Sequence, residues 1–442
     1  RDWSSDVCSS DLWELARCKA SAKYKEDNIM KKFLAILVAL ALVLGVSCTA
    51  LADEPVTIQF WSVFTGDDGA VLQALVDEFN AEYNGKINVV HSPLSDPYTN
   101  LYLAVQSSTD IPDVMIGHIE QIPKMAADGI LTDVEYLTEG DVDLANYPEH
   151  VLERSNIDGV QYGIPWDFNA PVLYVNLDLI AQYGLESILE DRMVTFDELK
   201  QAGEAVKEAG DLETVKINNY YGNFNQYVAR YEQMAQQELI QDGKLVIDTV
   251  QWGKVIDVFR ELNDLGYAIG REDDANAMFL GGSLMFYEAG TWTNATLMQV
   301  EGLNYDCVPV TVYSPETALV RSGSHTWMQP ENEDRTEETD MAVATFINWM
   351  GAHSLTWATK AGQVPLYKSV TEMDEFKACK QTFLAQAGLS DHIKIFQYYY
   401  WNTLTDVIGR TAMDVVYDET IDSATVGAGI QQEVEDAIAA GV

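Results

Sequence analysis

The residues best equipped for chemistry are carboxylates and amides set beside flat aromatic rings. Trp166-Asp167-Phe168-Asn169 is the densest such run. Trp61, Tyr220-Tyr221, Trp292 and the four rings at 398–401 are others, in segments that read as loops. An aromatic ring offers a broad apolar face, and a carboxylate accepts short, charge-assisted hydrogen bonds. Together they fit a molecule with C–H faces and a rim of hydroxyls, as a sugar has. The same rings would also serve a core. The four at 398–401 cannot all face one pocket on a helix, because sequence neighbours there point apart.

Patterns for bond-breaking chemistry are mostly missing. The sequence has no His-Glu-x-x-His, no phosphate-cradling P-loop and no Gly-x-Ser-x-Gly. GGSLM at 281–285 lacks the last glycine of a nucleophile elbow, and GAGIQQ at 427–432 lacks the last glycine of a dinucleotide loop. DVDLAN at 141–146 departs from a calcium loop at Ala145. The 6 histidines are scattered without ligand spacing. No enzyme, cofactor or metal is therefore expected. Paired carboxylates abound, so a secreted glycoside hydrolase stays open as an alternative. So does a binding protein for a non-sugar solute, either ferric iron on the tyrosines at 398–400 or a polyamine drawn by acidic charge.

The 442-residue chain carries 27 basic and 69 acidic residues; 7 and 6 of these precede position 53, so the remainder has a charge near −43. Such a field repels nucleic acid and anionic lipid, and it opposes an anionic ligand unless a local basic pocket exists. With 47% hydrophobic and 10% aromatic residues the chain is globular and its charge is a solvated surface.

Residues 30–52, MKKFLAILVALALVLGVSCTALA, combine two lysines, an apolar run too short to span a bilayer, and Ala-x-Ala. This predicts a signal peptide cleaved after Ala52, with a lipid anchor on Cys48 as the alternative. Residues 1–29 are expected to be foreign, because DWSSDVCSSDL at 2–12 resembles a translated sequencing adapter. Of 5 cysteines only Cys307 and Cys379 follow the signal, as one disulfide or two free thiols.

These side chains need a scaffold, and the periodicity supplies one. Strands are expected at 56–60, 87–90 and 114–116, with helices around Val71–Phe79 positions and at 99–107. That β-α-β-α-β order predicts a parallel sheet under helices. Further strands are expected at 171–175, 283–286 and 308–312. TFDE at 195–198 is a capping box opening a helix that Gly210 ends. Helices around Val343–Met350 and Val426–Ile438 follow, and the charged stretch 331–340 reads as a loop and helix start. About 390 residues suggest two domains or one two-lobed unit.

VTIQFW (56–61), VDEFNAEYNGKINV (76–89), IPDVMIG (111–117), MAADGILTDV (125–134), DGVQYGIPWDFNAPVLYVNLDLI (158–180), TFDELKQAGEAVKEAG (195–210), AMFLGGSLMFYEAGTW (277–292) and AGQVPLYKSV (361–370) occur in this order. The chain thereby resembles the extracellular solute-binding proteins of carbohydrate ABC importers, the family that includes maltose-binding protein, over nearly all of residues 53–442. The resemblance implies a two-lobed α/β (Venus flytrap) fold, each lobe a sheet flanked by helices, joined by a hinge. The N-lobe would be 53–165 and 318–363, and the C-lobe 166–317 and 364–442. Crossings would fall near 163–167, 313–321 and 364–367. It implies a monomer that holds a carbohydrate in the cleft and delivers it to permease subunits. Ligand contacts would come from Trp61, Thr65, Asp67, His118, Glu120, Trp166, Asp167, Asn169, Tyr221, Asn223, Trp292, His325 and Trp401. Among these, Asp67, Glu120 and Asp167 would accept from hydroxyls, and Trp61, Trp166 and Trp292 would stack on sugar rings. GSHTW at 323–327 departs from the family's usual Gly-Gly there.

Overall fold

The computed structural model describes residues 54–441 apart from 220–223, 315, 317–319 and 386–392. The expected signal peptide with Cys48, the stretch 1–29, and the expected contacts Tyr221 and Asn223 lie outside the described residues.

The chain opens with strand β1 (Val56–Ser62), helix α1 (Asp67–Glu82) and strand β2 (Ile87–Pro93). Leu72, Leu75, Val76 and Phe79 recur three to four residues apart and are buried, while Asp67 and Asp68 complement the positive end of the helix. Helix α2 (Pro97–Ser107) starts on Asp96, whose carboxylate accepts from the Thr99 N–H, with proline at the first turn. Strand β3 (Val114–His118) follows. Short strands β4 (Ile164–Pro165) and β5 (Asp167–Phe168) lead into β6 (Pro171–Asn176). Helix α3 (Phe196–Ala209) has the predicted capping box between Thr195 and Glu198 and ends on left-handed Gly210. Helices α4 (Phe224–Ala235) and α5 (Thr249–Asp264), strands β7 (Phe286–Gly290), β8 (Tyr305–Pro309), β9 (Val320–Arg321) and β10 (His325–Met328), and helices α6 (Glu337–Ala352) and α7 (Leu355–Ala361) come next. Strands β11 (Val364–Pro365) and β12 (Ile393–Lys394) and helices α8 (Trp401–Tyr417) and α9 (Ser423–Ala440) complete the chain.

The first sheet runs β2-β1-β3-β10-β4, parallel through its first three strands and antiparallel at β10 and β4. The second runs β7-β6-β8, all antiparallel. Two apolar cores result, one around the first sheet with α1 and α6, the other around α3, α4, α5, α8 and α9. Strand β6 lies between them: Val172 and Tyr174 belong to the first core, Leu173 and Val175 to the second. Alternate side chains leave opposite faces of a strand, so one buried on both faces must be apolar throughout, and VLYV is. The fold is a two-lobed α/β fold.

Two expected strands are displaced. The strand expected at 283–286 begins at Phe286, and the one expected at 308–312 is Tyr305–Pro309. Each carries polar residues that an apolar run does not include. In β7 the buried Glu288 takes an inward place because Arg230 meets it; Nη1 donates to Oε1 at 2.7 Å. In β8 Asp306 alternates with buried Tyr305 and Cys307. Cys307 and Cys379 are both free thiols, which closes the disulfide option.

Three stretches far apart in sequence lie side by side near the middle. The Asn169 and Gly323 backbones exchange hydrogen bonds at 3.1 and 2.8 Å, Trp166 N–H donates to the His325 carbonyl at 2.8 Å, and Leu366 N–H donates to the Trp166 carbonyl at 3.0 Å. Strand β11 pairs with β5 through Val364↔Phe168 and Pro365↔Asp167.

Candidate functional site

A cavity of about 240 Å³ opens between the end of the first sheet and the second. Its wall includes five residues expected from sequence: His118, Glu120, Asn169, Trp292 and Trp401. His118 ends β3, Glu120 sits in the turn after it, Asn169 lies between β5 and β6, and Pro171 begins β6. Trp292 follows β7, and Trp401 starts α8. A second cavity of about 220 Å³ adjoins the first, sharing Pro171, Asn225 and Trp292 with it.

Trp292 owes its position to Gly290. A Cβ at 290 would stand 2.1 Å from Cη2 and 2.2 Å from Cζ2 of the indole. The ring therefore rests on bare backbone, and 44% of the residue remains exposed toward solvent and the cavities. That is the physical content of the Gly-x-Trp spacing: the glycine seats one part of the ring and leaves a face free.

His325 lies behind the wall, 4% exposed, with its ring 5.3 Å from that of His118 and 4.5 Å from Phe64. Asn169 Nδ2 is 3.3 Å from its Nδ1. His118 hydrogen-bonds the Tyr98 hydroxyl through Nδ1 at 2.6 Å. Burial, with His325 nearby, holds the His118 imidazole down to about 3, so it is neutral. Burial also raises the Glu120 carboxyl above its ordinary value, opposed by its own backbone N–H, Arg321 and His325.

The other expected contacts sit elsewhere. Trp166 is fully buried, stacked on Trp357 with centroids 4.7 Å apart, and its Nε1–H donates to the Met350 carbonyl at 3.3 Å. Both faces are committed to the core, so the expected stacking on a ligand is corrected to a packing role. Asp167 is also fully buried and accepts from His325 N–H at 2.9 Å, from His325 Nδ1 at 2.8 Å and from Trp357 Nε1–H at 2.6 Å. Both its oxygens are engaged by protein donors and it is closed off from the cavity, so it positions His325 in place of a hydroxyl. Trp61 is half-buried on β1 and packs against the first core away from the cavity wall. Thr65 is exposed and outside that wall, and Asp67 accepts from the Thr296 hydroxyl at 2.6 Å. Its neighbour Asp68 is the carboxylate nearer the site; its pKa is raised by burial and it feels His325 and Asp167.

Sequence reasoning missed Gln121, Asn225 and Arg321 on the wall. Arg321 carries the one available signal: a basic residue directly after the apolar run Ala318-Leu319-Val320 in a strongly acidic chain. The tyrosines at 398–400 diverge. Tyr398 is buried, and Tyr399 donates to Asp128 Oδ1 at 2.9 Å. No cluster of three or more His, Cys, Asp or Glu suited to a metal occurs among the described residues.

The model of a family described as bacterial extracellular solute-binding protein matches residues 74–383. The sn-glycerol-3-phosphate-binding periplasmic protein UgpB of Escherichia coli K12 is 22% identical over 361 residues, covering 76% of this chain and 80% of that protein. Two solved structures are similar in fold. The GacH receptor of Streptomyces glaucescens, studied unliganded and with acarbose, has a TM-score of 0.72 at 17% identity, covering 87% of this chain and 100% of its own. UgpB of Mycobacterium tuberculosis with glycerophosphocholine has a TM-score of 0.71 at 18% identity, covering 88% and 99%.

Proposed function

This chain belongs to the bacterial extracellular solute-binding proteins, and from that premise we propose that it captures a sugar or short oligosaccharide between its lobes and delivers it to the permease of an ABC importer. The observation that carries this reading is Trp292: a half-exposed indole seated on Gly290, facing cavities edged by His118, Glu120 and Asn169. The ring supplies a face for C–H groups, and the polar edge supplies partners for hydroxyls. Two adjoining cavities that share the indole suit more than one sugar ring. Among the relatives, GacH, which was studied with acarbose, points the same way, whereas the Escherichia coli UgpB is an sn-glycerol-3-phosphate-binding protein and the Mycobacterium tuberculosis UgpB was solved with glycerophosphocholine, both phosphate-bearing ligands.

On this reading the three adjacent stretches around 166–169, 323–325 and 364–366 are the hinge. The lobes are 53–165 with 318–363 and 166–317 with 364–442, and they close over the ligand as a rigid-body swing. Binding alters no bond. The protein works outside the cytoplasm, as a monomer, released after Ala52 or held by a lipid on Cys48. A thermal-shift screen of glucose, maltose, cellobiose and xylobiose tests the reading. At least one should raise the melting temperature with a concentration dependence set by its affinity. Turnover of a chromogenic glycoside, or stabilisation by spermidine alone, would refute it.

A further inference from the structure

Arg321 closes one side of the cavity and is 2% exposed. Its guanidinium carbon lies 3.4 Å from the centre of the Phe396 ring, 5.4 Å from Trp401 and 5.5 Å from Phe224. With aromatic rings around the guanidinium plane, polar partners are left its N–H edge. Nε and Nη1 are buried, and neither has a hydrogen-bond partner among the described residues. On the same cavity, Glu120 is 7% exposed and its Oε2 also lacks a partner among them. Buried donors and acceptors are rarely left unmade, because each costs the desolvation it suffered. An occupant of this cavity is thus asked to accept from Arg321 and to donate to Glu120.

A hydroxyl does both, and two adjacent hydroxyls do so toward both residues at once. A phosphate or carboxylate satisfies Arg321 alone. It would meet Glu120 as a like charge, and Arg321 already feels two carboxylates, Glu232 and Glu120. We infer that Arg321 and Glu120 form a donor–acceptor pair for a neutral vicinal diol, so that this cavity takes uncharged sugars and rejects phosphorylated or carboxylated ones. The inference rests on the sugar reading above and adds a selectivity that the sugar reading does not require.

The test is calorimetric titration of the purified protein with glucose, maltose, cellobiose and xylobiose against glycerol 3-phosphate and glucuronate. Wild type should bind at least one neutral probe and bind both anions at least tenfold more weakly. Arg321→Lys keeps the charge but loses the fork, and should weaken the best neutral probe at least tenfold. Glu120→Gln should weaken that probe as well and strengthen glucuronate. If a neutral probe binds and both variants bind it within twofold of wild type, the paired clasp is wrong while the sugar reading stands. If either anion binds wild type as tightly as any neutral probe, the selectivity is wrong. If no neutral probe binds, the sugar reading fails and takes the clasp with it. Melting temperatures without ligand show whether a variant is folded. Should one not be, the other variant and the wild-type preference decide.

Discussion

Replacing Gly290 by alanine should damage ligand binding without touching the ligand. Trp292 retains 44% of its exposure, and a whole tryptophan offers about 250 Å². Roughly 110 Å² is therefore available, of which a stacked sugar ring covers about half. At ~25 cal/mol per Å² that is about 1.4 kcal/mol, or tenfold in affinity. Specific ring stacking adds ~0.5–1.5 kcal/mol. Trp292→Ala should lose this whole amount, about 1.9–2.9 kcal/mol. Gly290→Ala keeps the indole but places a methyl 2.1 Å from its Cη2. The ring must swing off its seat, and most of the same affinity goes with it. Because both substitutions act through one ring, their effects should not add: the double variant should bind no worse than Trp292→Ala by more than ~0.5 kcal/mol. Calorimetry with the tightest-binding sugar of the panel reads all three. Fully additive losses, or unchanged affinity in Gly290→Ala, would refute the seating argument.

Other outcomes follow from the interior. Glu288→Ala removes the carboxylate, 2% exposed, that pairs with the buried Arg230 guanidinium, and should cost ~3–5 kcal/mol in urea unfolding. Asp167→Asn weakens an acceptor that serves His325 and Trp357. It should cost ~1–3 kcal/mol of stability and also reduce sugar affinity through His325. Burial lowers the His91 imidazole from 6.5 to about 4. The unfolded chain then binds a proton that the folded one refuses, so this residue's contribution declines as pH falls from 6.5 toward 4. The stability difference between wild type and His91→Gln, measured by urea titration, should therefore shrink across that window. A constant difference would show that His91 does not titrate there.

The elements most legible in sequence were those whose apolar spacing matches their geometry. Helix α1 with Leu72, Leu75, Val76 and Phe79, the Thr195–Glu198 box and the all-apolar β6 are the clearest cases. Strands β7 and β8 were less so, because Glu288 is made inward-facing by Arg230, from a distant helix. At the site, His118, Glu120, Asn169, Trp292 and Trp401 line one cavity. Trp166 and Asp167 illustrate the opposite. Aromatic and acidic residues in adjacent positions look like a binding edge, yet Trp357 and His325 arrive from later in the chain and absorb both. Arg321 was missed because its isolation is a property of the fold: no local spacing announces that a guanidinium will be wrapped by Phe396 and Trp401.

The order β2-β1-β3-β10-β4 also bears on how the molecule is made. The strand lodged against β3 is His325–Met328, synthesised some two hundred residues after its neighbour. Until it arrives, a growing chain exposes the unpaired backbone edge of β3, a template for mispairing with other chains. Such remote pairings close slowly, since a long loop must be ordered first. Synthesis stopped before residue 325 should thus yield a sticky, protease-sensitive fragment in place of a free-standing first half. A chain kept extended until its last third is complete escapes that hazard.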